Sequence, residues 1–126
     1  MKIKNNRMTN KNQLVEKIIE GIQEKKGSKI VVVDLNKMEG TITNYFVICQ
    51  GNSPTQVEAI AESVADFVRK DLKEKPISAV GIGSSQWVAI DFVDVMVHVF
   101  LPEMREFYDL EHLWADADIT EIPDLD

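Results

Sequence analysis

The sequence contains 126 residues, 44% of them hydrophobic and 28% charged, which fits one globular domain and excludes both two independent cores and wholesale disorder. Its formal net charge is −7, with eight Lys/Arg against three Asp/Glu in residues 1–29 and one against eleven in residues 91–126. Phosphate contacts require clustered Lys and Arg, so direct binding to DNA is disfavoured and a basic protein partner is favoured.

Apolar runs and the numbers of Cys and His residues limit which compartment and which cofactors the sequence is compatible with. No apolar run approaches the roughly 20 residues of a membrane-spanning helix, so no membrane association is expected. The first residues lack the apolar stretch of a signal peptide, and the single cysteine, Cys49, cannot form an internal disulfide. Together with the wide spacing of Cys49, His98 and His112, these features predict a cytoplasmic protein without a metal or other cofactor.

The first half of the chain predicts a helix, two strands and a second helix. Asn10 begins a helix with apolar residues at helical spacing, and Gly27 ends it. Residues 29–35 form a β-branched run typical of a strand buried on both faces, and residues 44–50 form another strand, closed by Gly51 and Asn52. Ser53 then caps a second helix, with Pro54 at its first position and Gln56 at its third. The apolar stripe of this helix predicts packing on a sheet; it comprises Val57, Ile60, Ala61, Val64, Phe67, Val68 and Leu72.

The second half predicts three strands and a helix. Residues 78–80 and 87–91 form strands around a Gly- and Ser-rich loop, and residues 94–100 alternate between two faces after a hairpin. A helix is predicted from Glu103 to Trp114, followed by a loosely ordered acidic end.

This order of elements predicts an α/β (α+β) layer domain, with a mixed β-sheet of about five strands flanked by helices. The predicted boundaries are a flexible N-terminus over residues 1–9, the domain over residues 10–115 and an acidic tail over residues 116–126.

Two segments resemble catalytic motifs. Gly51–Ser53 follows a strand and opens a helix, where backbone N–H groups can hold a phosphate, but it lacks the Lys of a P-loop, and helix capping is the favoured interpretation of Ser53. Asp91 and Asp94 could hold magnesium for nucleotidyl or phosphoryl transfer. Residues three apart on a continuous strand point to opposite faces, so the favoured interpretation is two polar residues flanking a hairpin.

Neither His98 nor Cys49 has a visible catalytic partner in its own segment, so no catalytic constellation is recognised and the protein is not expected to be an enzyme. The run from Arg105 to Trp114 instead combines aromatic side chains with charged ones, as interface hot spots do. The alternative is that its apolar residues merely seat the last helix on the sheet.

Four parts of the sequence form a distinctive set, namely Tyr45–Ser53, the isolated Trp87, Asp91-x-x-Asp94-x-x-Val97-His98-x-Phe100 and Glu103-x-Arg105-x-x-Tyr108-x-Leu110-Glu111-x-Leu113-Trp114. These blocks resemble the ribosomal silencing factors, also called Iojap-like proteins. The resemblance as a whole covers about residues 10–115.

The resemblance implies a nucleotidyltransferase-like fold without the catalytic apparatus, and often a homodimer. It implies binding to the large ribosomal subunit through ribosomal protein L fourteen, which blocks association with the small subunit and represses translation when nutrients are scarce. The residues then expected to contact the partner are Trp87, Asp91, Asp94, His98, Glu103, Arg105, Tyr108 and Glu111.

The sequence departs from the family pattern at two places. Val93 stands where the family usually has Gly, and the usual Glu-Gly pair ahead of Trp87 is missing. Within the matched blocks, helical spacing predicts that three apolar residues are buried, namely Phe107, Leu110 and Leu113. Asp94 and Glu111 have no basic partner nearby in the sequence and are therefore predicted, with Trp87, to be contact positions whose truncation leaves the fold intact.

Overall fold

The computed structural model describes residues 11–38, 40–41, 43–113 and 117–125. The predictions for residues 1–9, for the Asn10 cap and for Trp114 lie outside these residues.

The fold is a single mixed sheet with helices on both sides. The helices are α1 (Lys11–Glu24), α2 (Pro54–Leu72) and α3 (Pro102–Tyr108), with a short 3-10 helix η1 (Leu110–His112). The strands are β1 (Ser28–Asp34), β2 (Tyr45–Gln50), β3 (Ser78–Val80), β4 (Trp87–Asp91), β5 (Val95–Phe100) and β6 (Asp118–Ile122). The predicted α+β class is confirmed, with one strand more than expected and a shorter last helix.

The strands lie in the order β3-β4-β5-β2-β1-β6. Among the described strands, only β2 and β5 pair in parallel, with Tyr45 opposite Val95 and Gln50 opposite Phe100. This parallel pair lies at the centre of the sheet. Parallel strands need a crossover that a tight turn cannot provide, and here α2 and the β3–β4 hairpin form it.

One face of the sheet is covered by α1 and α2. As predicted, the Ser53 hydroxyl accepts a hydrogen bond from the Gln56 N–H at 3.1 Å and caps α2. The two helices cross closely at Gly21, where an added Cβ would lie 2.8 Å from Val64 Cα. The Ser63 hydroxyl donates to the Gly21 carbonyl at 2.8 Å, so this crossing requires a residue without a side chain.

The other face of the sheet, called here the second face, holds a smaller core. Alternation along β5 places Val95, Val97 and Val99 in the helical core, while Met96, His98 and Phe100 point to the second face. Segment α3–η1 lies over one end of this face, so side chains of the β4–β5 hairpin meet those of the last helix there.

The acidic C-terminal end differs from its prediction as a loosely ordered tail. Residues Asp118–Ile122 form an edge strand antiparallel to β1, with Thr120 opposite Val32, and the Lys29 N–H donates to the Asp124 carboxylate at 2.9 Å. Its side chains are mostly exposed. The strand is therefore held chiefly by backbone hydrogen bonds, which explains why its side-chain pattern did not predict it.

Across the described residues, the helices are too short or too polar to span a bilayer.

Candidate protein-binding surface

The β4–β5 turn brings Asp91 and Asp94 into a hairpin, as predicted. The Asp94 N–H donates to the Phe92 carbonyl at 3.0 Å around Val93, whose φ of 78° gives the geometry of a γ-turn. The Asp91 carboxylate accepts from the Val93 N–H at 2.8 Å, so it fixes the turn. Asp94 lies near Glu74, whose pKa is raised first by burial and second by the Asp94 charge.

These carboxylates do not form a recognisable metal site. Among the described residues, no group of three or more His, Cys, Asp or Glu side chains is arranged to hold a metal ion. No observation in this part of the chain therefore favours the magnesium-dependent alternative.

An aromatic cluster occupies the end of the second face beneath α3; its members are Trp87, His98, Phe100 and Tyr108. The Trp87 ring stacks on Phe100 at 5.0 Å between centroids and contacts Tyr108 at 4.6 Å. Its indole N–H donates to His98 Nδ1 at 3.0 Å. The cluster joins two neighbouring strands to α3, so Trp87 contributes to the packing and is only partly exposed.

His98 lies beneath Trp87 and is only 4% exposed. Burial lowers the pKa of His98 to about 4, so the ring is neutral near pH 7. Although His98 was predicted to contact the partner, its side chain is buried in the free chain and is not available for direct contact.

Arg105 and Glu111, both predicted as contact residues, bind each other. The guanidinium Nε and Nη2 donate to the two Glu111 carboxylate oxygens, each at 3.0 Å, and Nη1 donates to the Lys29 carbonyl and to Gln50 Oε1. The two side chains are 10% and 17% exposed. The expectation that Glu111 lacks a basic partner is wrong, because Arg105 lies six residues earlier and the bend after α3 brings the two side chains together.

The same bend overturns the burial predicted for two apolar residues. Asp109 ends α3 with a φ of 47°, so the helical spacing does not continue through η1. Phe107 is therefore 77% exposed and Leu113 61% exposed, whereas Leu110 is half-buried in the core of the second face. A sequence signal existed only in Asp109, since Asp tolerates the left-handed conformation better than most residues.

The exposed side of α3–η1 combines apolar and acidic groups. Phe107 contacts Tyr108 edge-on at 5.0 Å, and Tyr108 is 42% exposed. A cleft of about 390 Å³ beside them is lined by four carboxylates, namely Glu103, Glu106, Asp109 and Glu111. The only Lys or Arg in its lining is Arg105, whose charge Glu111 already neutralises. We call this region, comprising α3, η1 and the exposed part of Trp87, the α3 surface.

Comparison with known proteins identifies the family. Residues 8–126 match the model of the family described as "Ribosomal silencing factor during starvation". The chain is 35% identical over 111 residues to the ribosomal silencing factor RsfS of Halalkalibacterium halodurans, covering 87% of this chain and 92% of that one. A crystal structure of protein CV0518 from Chromobacterium violaceum superimposes with a TM-score of 0.80 at 32% identity, over 85% of this chain and 88% of that one.

The chain belongs to the ribosomal silencing factor family.

A more distant relative is the mouse "Mitochondrial assembly of ribosomal large subunit protein 1", 26% identical over 80% of this chain and 45% of that protein. In this chain, three of the four matched blocks contribute residues to neighbouring parts of one surface. Trp87, His98 and Tyr108 form one cluster, and Glu103, Arg105 and Glu111 line one cleft beside it. Asp91 and Asp94 lie apart from them, at the opposite end of β4 and β5.

Proposed function

We propose that this ribosomal silencing factor binds the large ribosomal subunit through ribosomal protein L fourteen and blocks the small subunit from joining. Translation is thereby repressed when nutrients are limited. The observation that carries the proposal is the α3 surface. There the exposed ring of Phe107 lies on the same short helix as Glu103 and Glu106, which form no ion pair within the described chain.

The charge of this surface supports a basic protein as the partner. Glu103, Glu106 and Asp109 are exposed around the cleft, and within the described chain Glu103 and Glu106 form no ion pair, while Asp109 Oδ1 lies 2.7 Å from His112 Nδ1. Opposite charges on a partner would accelerate association and select against acidic proteins. Ribosomal proteins are generally basic, and ribosomal protein L fourteen is the one implied by the family resemblance.

The apolar side chains supply the anchors for such contact. Phe107 is more exposed than any other large hydrophobic residue of the described chain, and Tyr108 and Leu113 lie in the same segment. Aromatic residues surrounded by polar groups are typical of interface hot spots. The mechanism is occupancy: the bound protein covers the face on which the small subunit docks, and no chemical turnover is required.

Sedimentation with purified subunits tests the proposal. The protein should sediment with isolated large subunits and not with small ones, and should reduce the fraction of joined ribosomes in proportion to its occupancy. Binding should weaken as salt rises, because exposed charges are screened within about 10 Å at 0.1 M ionic strength. Equal binding to both subunits contradicts the proposal.

Matched variants locate the surface. Phe107→Ala should weaken binding by about 1–4 kcal/mol, the range of a hot spot. Ile77→Ala, which truncates an exposed residue at the opposite end of β4, where its N–H donates to the Asp91 carbonyl, should not. Glu106→Lys should slow association, whereas Glu62→Lys on the outer side of α2 should leave it unchanged.

The same proposal places the protein in the cytoplasm, where ribosomes are assembled and used. The homodimer implied by the resemblance is tested by analytical ultracentrifugation of the free protein.

The absence of enzymatic activity is tested by incubation with magnesium and each of the four ribonucleotides, where nucleotide turnover should not exceed that in buffer alone. Turnover that Asp91→Asn abolishes would support the transferase alternative instead.

A further inference from the structure

The orientation of the Trp87 indole is unusual for a residue at a binding surface. A tryptophan at an interface commonly buries its ring and directs its N–H to a polar group of the partner or to water. Here the N–H points inward, to His98 Nδ1 at 3.0 Å, and His98 is buried on the neighbouring strand. The part of the half-exposed indole that is left for a partner is therefore its carbon edge.

The surroundings hold Trp87 in this orientation from the backbone outward. Gly81 has a φ of 93°, and an added Cβ there would lie 2.0 Å from the Trp87 carbonyl oxygen, so the β3–β4 loop closes tightly on the Trp87 backbone. The ring packs on Phe100 and Tyr108. Among these neighbours, His98 alone determines which edge of the ring faces inward, because the hydrogen bond distinguishes the N–H edge from the carbon edge.

A histidine at position 98 destabilises the fold more than an apolar ring would, so packing alone does not account for it. Because Nδ1 accepts a hydrogen bond from the indole N–H, the neutral imidazole carries its own proton on Nε2. This Nε2 is buried without a hydrogen-bond partner among the described residues. An unpaired buried donor destabilises a fold, whereas a phenyl ring between Phe46 and Phe100 would carry no such penalty. The feature that a phenyl ring lacks is the acceptor at Nδ1.

We propose that His98 is a positioning residue, whose Nδ1 turns the indole N–H of Trp87 inward so that an apolar edge meets the partner. The ribosomal protein should therefore offer aliphatic side chains at this point, not a hydrogen-bond acceptor, with its basic residues placed over the carboxylates of α3. This inference rests on the proposed function for the identity of the partner, but the positioning itself is a property of the free protein.

Two substitutions separate positioning from stability. His98→Phe keeps a ring and removes the acceptor, so the Trp87 N–H must turn towards water, and large-subunit binding should weaken about tenfold or more, as for a hot spot. His98→Asn loses packing but supplies an oxygen near the position of Nδ1, so it should lower the melting temperature while keeping binding within a few-fold of the parent.

The orientation of the Trp87 indole can be tested in the free protein by the rate at which its N–H exchanges with solvent. Its N–H resonance, assigned in a Trp114→Phe background, should exchange slowly with solvent in the parent and in His98→Asn and rapidly in His98→Phe. If the parent does not bind large subunits, the proposed function fails, while this measurement still decides whether His98 positions Trp87. Equal exchange in all three proteins overturns the inference.

A chemical rescue tests what the partner recognises. Benzothienylalanine in place of Trp87 replaces the indole N–H by sulfur and so needs no acceptor. In the His98→Phe background it should restore large-subunit binding to within a few-fold of the parent. Failure to restore binding, with the variant folded by circular dichroism, would show that an outward N–H is not what weakens the binding of His98→Phe and would overturn the inference.

Discussion

Replacement of Arg105 by methionine should be among the most destabilising single changes on the second face. The substitution keeps most of the side-chain length, so the loss comes from the guanidinium and its four hydrogen bonds. It leaves the Glu111 carboxylate, which is 17% exposed, without its counter-charge. Breaking a buried pair in this way costs about 3–5 kcal/mol, and the residual exposure of Glu111 places the expected loss near 3 kcal/mol.

Urea denaturation followed by circular dichroism measures this loss. With an m-value of about 1.5 kcal/mol per molar, the midpoint should fall by about 2 M. Arg69→Met is the matched control: its pair with Asp66 is more than half exposed, and it should lower stability by less than about 1 kcal/mol.

The double substitution Arg105→Met with Glu111→Met should recover part of the loss, because no charge is then left unpaired. The reasoning fails if Arg105→Met costs no more than the Arg69 control, or if the double variant loses the sum of the two single losses.

Three further predictions concern single residues. Val93→Gly should raise stability by about 0.5–1 kcal/mol in urea denaturation, because a β-branched residue is strained at positive φ; a loss would contradict the γ-turn. The pKa of His98 is about 4 in the folded protein against 6.5 in the unfolded chain, so the stability linked to its neutral ring is fully present above pH 6.5. As the pH falls to 4, the free energy of unfolding should fall by about 3 kcal/mol, and this loss should be absent in His98→Asn. Cys49, whose pKa burial raises to about 12, should react with thiol reagents only after unfolding, and rapid reaction of native protein would disprove its burial.

The elements with local signals could be predicted from the sequence. Ser53, Pro54 and Gln56 mark the start of α2 through contacts within one helical turn, and the alternation from Met96 to Phe100 assigns β5 to two buried faces. Strand β6 carries no comparable signal, because it is an edge strand whose pairing with β1 depends on backbone groups that every residue has.

The sequence indicated which segments of the candidate surface lie together, but not the contacts within them. The matched blocks identified Trp87 and the segment Glu103–Glu111, and the structure brings both into one place. The roles within it depend on contacts far apart in the chain: Arg105 binds the Lys29 carbonyl and Gln50, 76 and 55 residues away. Such contacts leave no local pattern. Phe107 was predicted to be buried because helical spacing was extended past Asp109, where the chain bends, and it is exposed.

Site-specific photocrosslinking tests the proposed interface most directly. Benzoylphenylalanine at position 107 should crosslink predominantly to ribosomal protein L fourteen when the protein is bound to large subunits. The same group at Phe67, on α2 in the opposite layer, should give no crosslink to that protein. A crosslink from position 107 to ribosomal RNA or to another protein, or equal crosslinking from position 67, would contradict the assignment of the α3 surface.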